Sequence, residues 1–153
     1  MKFRMVDRIV RFEPRRSISG IKTVSFEEYN LKSPFTDRPC LPESLVIESL
    51  FQLGNWLIML TSEFSQMGLV IRTNEIEFIR PLNPGQNMFM EVQVRRYRDD
   101  GILFDGKALV NQNVIASGKG CLASPVDLAD YHNPDDLKVL FSEIYRPNNI
   151  TER

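Results

Sequence analysis

Between residues 45 and 60 the chain carries one long apolar run whose strongly polar members are Glu48, Gln52 and Asn55. Pro42 blocks a helix from extending backward and Gly68 marks an exit, so the spacing predicts a helix from Glu43 through about Ser65. At a rise of about 1.5 Å per residue it would be about 30 Å long, the width of a small domain. The run reads as too short and too polar for a bilayer. Its apolar surface must therefore be covered by whatever else the chain makes.

What else it makes is strand-like. Residues 5–12 and 17–24 flank the turn signal Glu13-Pro14-Arg15-Arg16. Residues 71–81, 87–97, 102–110 and 114–123 are rich in Val, Ile, Phe and Met, with turns at Pro84-Gly85, Asp99-Asp100-Gly101 and Asn111-Gln112-Asn113. Two strands, a long helix and four meandering antiparallel strands predict an α+β domain with the helix on one sheet face. On alternation, Ile76, Phe78 and the apolar members of Met88-Phe89-Met90 are expected to face that helix. Residues 29–42 hold Pro34, Pro39 and Pro42 without periodicity and read as an ordered loop.

The end of the chain is a separate piece. Asn133 can cap a helix, Pro134 suits its first position, and Asp135 and Asp136 meet the positive end of its dipole. Leu137, Leu140, Phe141 and Ile144 then form one apolar stripe, expected on the domain surface or on a partner subunit. The division is a domain over 1–124 and a C-terminal extension over 125–153.

Composition narrows the function. A net charge of -1 gives no basic field for nucleic acid. One histidine and two cysteines, Cys40 and Cys121, make neither a disulfide framework nor an ordinary metal site, so no metal or other cofactor is expected. Cys40 reads as a packed thiol. The first residues lack the apolar core of a secretion signal, which predicts a cytoplasmic protein with no membrane partner.

Three motifs carry chemistry. The stretch Pro34-Phe35-Thr36-Asp37-Arg38-Pro39-Cys40-Leu41-Pro42-Glu43 leads into Ile47-Glu48-Ser49-Leu50-Phe51-Gln52, and Phe78-Ile79-Arg80-Pro81-Leu82-Asn83-Pro84-Gly85 follows later. With the opening residues 3–12, these resemble in order and spacing the 3-hydroxyacyl-[acyl carrier protein] dehydratases, over about residues 3–123. That family's signature is His-Phe-x-x-x-Pro-x-x-Pro-Gly with a carboxylate five residues beyond the glycine. Phe35, Pro39, Pro42 and Glu48 fall at the matching offsets. Pro34 stands where the signature has its histidine, and Glu43 where it has its glycine.

The resemblance implies the hotdog fold: a long central helix wrapped by a six-stranded, mostly antiparallel sheet. It implies a homodimer, or a higher oligomer of dimers, joined edge to edge, with each site drawing on two subunits. The substrate would be an acyl thioester of acyl carrier protein or coenzyme A. Glu48 takes the position of the catalytic acid, with Phe35, Glu43, Ser44 and Gln52 beside the substrate and Pro34 the lost catalytic position. A proline accepts no proton, and losing a general base costs about 10²–10⁴ in rate.

Several readings stay open. The chain is a dehydratase relative without its ordinary base, either alone or as the non-catalytic half of a heterodimer. It is a hotdog acyl-thioesterase using Glu48 and a helix-start N–H. Or it is a structural or regulatory dimer. The line of Glu48, Gln52 and Asn55 by itself reads as a helix's solvent face, and only the offsets from Pro39 and Pro42 turn it toward the acid position. Arg15, Arg16, Arg95, Arg96 and Arg98 are either a carrier-protein surface or solvated strand ends. His132 is expected at the helix start or in solvent, reaching the pocket only if the tail folds back.

Overall fold

In the computed structural model, which describes residues 4–26 and 38–147, six strands and two helices form one sheet wrapped on one helix, with a second helix outside. The elements are β1 (Arg8–Glu13), β2 (Ser17–Thr23), α1 (Glu43–Thr61), β3 (Gln66–Phe78), β4 (Asn87–Arg98), β5 (Gly101–Val110), β6 (Asn113–Asp127) and α2 (Pro134–Ile144). The sheet order is β1-β2-β4-β5-β6-β3, with antiparallel pairing throughout.

Alternation on the central strands makes the inner face. Met88, Met90 and Val92 of β4 and Ile102, Phe104 and Ala108 of β5 are essentially inaccessible, and they meet Leu50, Leu53 and Leu57 of α1. Gly54 permits this approach. A Cβ there would stand 2.8 Å from the Phe104 ring, so any larger residue would push α1 off the sheet. By length and composition α1 is long and apolar enough to cross a membrane, contrary to the sequence reading. Its burial against the sheet accounts for that apolarity.

Three expectations change. The helix ends at Thr61, and the chain turns through Glu63 and Phe64, both with left-handed backbone (φ 53° and 63°). Gly68 is no exit but part of β3, where a Cβ would come within 2.4 Å of Ile58 Cδ1; it lets β3 lie close against the helix. The expected four-strand meander holds only for β4, β5 and β6. β3 follows α1 directly and lands at the far edge, where its 13 residues pair with the 15 of β6. Beyond the register shift at Val70/Arg72 the strand outruns the helix. Ile76 and Phe78 are therefore 46% and 36% exposed instead of facing α1.

The two sheet edges differ. On β1, Ile9 forms a bridge with Tyr145, the Arg146 N–H donates to Ile9 O at 2.9 Å, and the Arg8 guanidinium holds Arg146 O. Among the described residues no strand pairs with the outer edge of β3, which carries the exposed Ile71, Ile76 and Phe78 and leads into the exposed Ile79.

α2 begins as expected: the Asn133 side chain accepts from the Asp135 N–H at 3.0 Å, with Pro134 following. It lies against its own domain. Phe141 is 6.2 Å from the Trp56 ring, 6.3 Å from Phe64 and stacked at 4.9 Å on Tyr145.

Candidate functional site

Folding α2 back onto α1 leaves a partly open cavity of about 470 Å³ between them. Its floor is the polar line Glu48, Gln52 and Asn55, which settles that line as cavity-lining rather than purely solvent-facing. Trp56, Leu137, Leu140 and Ile144 give it apolar walls, and the exposed Arg4, His132 and Asp136 also line it.

The members of the polar line differ in what remains available. Gln52 Oε1 accepts from the Met5 N–H at 2.8 Å, and its Nε2 donates to Glu48 Oε1 at 3.1 Å. Gln52, expected to touch substrate, thus ties the N-terminal segment to α1 and orients the carboxylate of Glu48. Asn55 Oδ1 accepts from the Gly68 N–H at 2.8 Å and fixes the start of β3. Glu48, half-buried, lines the cavity, and its second oxygen has no hydrogen-bond partner among the described residues. Placed one turn before Gln52 and fully within α1, it is held on a rigid element.

The other expected residues lie elsewhere. Glu43 and Ser44 are exposed in the first turn of α1. Five residues turn a helix by about 140° net, so Glu43 and Glu48 face different ways. Glu43 lines a second cavity, of about 280 Å³, with Cys40, Leu41, Phe78 and Arg80. Two of the motifs meet there: the Leu41 N–H donates to Leu82 O at 2.8 Å and bridges the segment before α1 to the one after β3. Among the described residues no side chain caps the first turn of α1, so its leading N–H groups are a place for a developing negative charge. Pro34, Phe35 and Asp37 lie outside the described residues.

His132, expected at the helix start or in solvent, lines the same cavity as Glu48. The signal was the apolar stripe of α2, which requires a face to cover; Trp56 and Phe64 supply that face. Cys40 lines the second cavity, while Cys121 is buried far from both. Burial pushes the Cys121 thiol up, opposed in part by a hydrogen bond with Thr73 and reinforced by Asp105. Among the described residues no cluster of His, Cys, Asp and Glu is suited to a metal ion.

The basic strand ends are largely engaged within the chain. Arg95 pairs with Asp105, Arg16 with Glu13 at 3.2 Å, and Arg15 sits 5.1 Å over the Tyr97 ring. In the opening motif, Asp7 accepts from the Thr23 N–H at 2.7 Å and faces the buried Lys22 at 3.6 Å, a structural clasp between β1 and β2.

Comparison with known proteins agrees with this geometry. The FabA-like domain family matches residues 1–119. The chain is similar to the 3-hydroxyacyl-[acyl-carrier-protein] dehydratase FabZ of Histophilus somni (strain 2336), with 35% identity over 119 residues, 76% of this chain and 79% of that protein. It is 33% identical to the FabZ of Magnetococcus marinus over 115 residues, 73% of this chain and 75% of that one. Among solved structures, the Streptococcus mutans protein smu.793 bound to acetyl CoA superposes with a TM-score of 0.65 at 9% identity, covering 83% of this chain and 93% of that one. Zebra fish thioesterase superfamily member 2 superposes with a TM-score of 0.58 at 15% identity, covering 78% and 79%. With the family match over most of the chain and these relatives and superpositions, the chain belongs to the FabA-like domain family, is a relative of the 3-hydroxyacyl-[acyl carrier protein] dehydratases, and has the hotdog fold.

Proposed function

We propose that this chain acts on acyl thioesters in fatty-acid or related lipid metabolism in the cytoplasm, as a dehydratase-like protein whose signature has lost its ordinary base at Pro34. The observation that carries this reading is Glu48. It sits at the acid position of the signature, is oriented by Gln52, and lines a cavity with apolar walls. A carboxyl in such a place can deliver a proton to a leaving hydroxyl, and the walls suit an acyl chain. The acyl group arrives on acyl carrier protein or coenzyme A.

The working unit is a homodimer joined through β3. Two features favour it: an outer edge with no strand partner among the described residues, and the exposed apolar side chains Ile71, Ile76, Phe78 and Ile79 beside it. The second cavity, at the start of α1, borders this same edge through Phe78 and Ile79.

The test is hydration of a trans-2-butenoyl thioester, with thioester hydrolysis followed in the same samples and Glu48→Ala run beside the unaltered protein. Hydration that disappears in Glu48→Ala supports a hydro-lyase. Hydrolysis alone, dependent on Glu48, makes the protein a thioesterase. Neither reaction, with a thioester still bound, leaves a binding subunit or the silent half of a heterodimer.

A further inference from the structure

We propose that the C-terminal segment supplies the base that the signature position lacks: His132 and Glu48 form the acid–base pair of the α1/α2 cavity that both line. This rests on the acyl-thioester reading above and names the residue that would complete it. The segment lies beyond the residues that the family comparison matches, 1–119.

Three observations converge. The chain has a single histidine, and it lines the same cavity as the acid-position carboxylate. Its backbone is fixed on both sides. Before it, a single 3₁₀ turn, Leu128–Asp130, is anchored by the fully buried Leu128, whose N–H donates to Ser65 O at 3.0 Å. The His132 N–H then closes onto Leu128 O at 2.9 Å, and Asn133 caps α2 immediately after. Finally, α2 itself is held on α1 by Phe141, so the imidazole is carried on a braced element and not on a free tail.

The floor from Glu48 to Asn55 runs about 10 Å along α1. Both residues line the cavity, whose volume of about 470 Å³ has room for the first few carbons of an acyl thioester, reached directly or through one water. In dehydration, neutral His132 takes the proton from Cα. The Cα–Cβ double bond forms as the Cβ–O bond breaks, and protonated Glu48 gives its proton to the departing hydroxyl, releasing water. The imidazolium proton then returns to the Glu48 carboxylate through solvent, restoring both groups. The charged groups facing the cavity are Arg4 from the N-terminal segment, Glu48 from α1 and Asp136 from α2.

The experiment compares the unaltered protein with His132→Ala and Glu48→Gln, measuring hydration of a trans-2-butenoyl thioester. Binding is followed separately through the single tryptophan, Trp56, which lines the cavity, using the unreactive butyryl-coenzyme A. The expected result is a loss of about 10²–10⁴ in kcat for His132→Ala, with the Trp56 response to butyryl-coenzyme A kept and part of the rate restored by added imidazole. His132 is exposed, so its removal leaves the fold intact. Unchanged kcat in His132→Ala overturns the proposal, as does an unaltered protein that binds butyryl-coenzyme A without hydrating the enoyl thioester; in both cases the acyl-thioester reading survives. Neither binding nor hydration by the unaltered protein overturns both.

Discussion

The two edges of the sheet end in opposite ways. β1 is finished by the chain's own tail, through the Tyr145 bridge and the Arg146 N–H to Ile9 O. β3, among the described residues, is finished by nothing and displays isoleucines and a phenylalanine. An edge that a protein covers itself is protected from association, whereas an apolar one left open invites another strand. The difference teaches that the C-terminal extension is part of the working domain. The same segment that closes β1 also builds the wall of the Glu48 cavity and carries His132 onto it.

Breaking the open edge should have the largest effect. Replacing Ile76 and Phe78 together by Asp puts two charges into an apolar contact and should weaken self-association by about 2–4 kcal/mol. Sedimentation equilibrium checks this, and a chain that is monomeric before substitution removes the dimer from the account. At the closed edge, Phe141→Ala removes ring contacts with Trp56, Phe64 and Tyr145. A cost of about 1–2 kcal/mol is expected in urea unfolding followed by Trp56 fluorescence, with oligomeric state unaltered.

How much of this was legible beforehand follows from what each residue depends on. The strand–helix–strand order, the helix start behind Pro42 and the Asn133 cap are local, and all were readable. The pattern extends α1 too far because Gly68 is its first helix-stop signal, while the chain turns through Glu63 and Phe64 in a left-handed conformation that no glycine announces. The partner of β3 is non-local, so the pattern suggested a simple meander and put Ile76 and Phe78 on the wrong surface. In the site, the offsets that resemble the dehydratase signature picked out Glu48. They could not show that Gln52 holds Glu48 and Met5 together, or that helical rotation separates Glu43 from Glu48. The meeting of His132 with Glu48 depends on where α2 packs, which its apolar stripe required but did not locate.

Two smaller effects sharpen the picture of the tail. Asn133→Ala should cost α2 about 1 kcal/mol through loss of the cap, seen as faster amide exchange in α2 with the sheet unaffected. Alkaline pH should act on the core through Cys121. Its thiol is pushed up in the folded chain, so the folded state retains a proton that the unfolded state gives up. That contribution is intact below the ordinary thiol range and is lost as pH rises above about 8.5 through the folded value. The melting temperature should fall less steeply there in Cys121→Ala than in the unaltered protein.

The most direct test of the central claim is the double variant His132→Ala with Glu48→Gln, compared with each single variant by kcat for hydration of the trans-2-butenoyl thioester. Residues that serve one reacting bond as a unit are strongly non-additive. The account predicts that the double variant is no slower than the worse of the two single variants. Losses that multiply, or a His132→Ala protein as fast as the original, would contradict it.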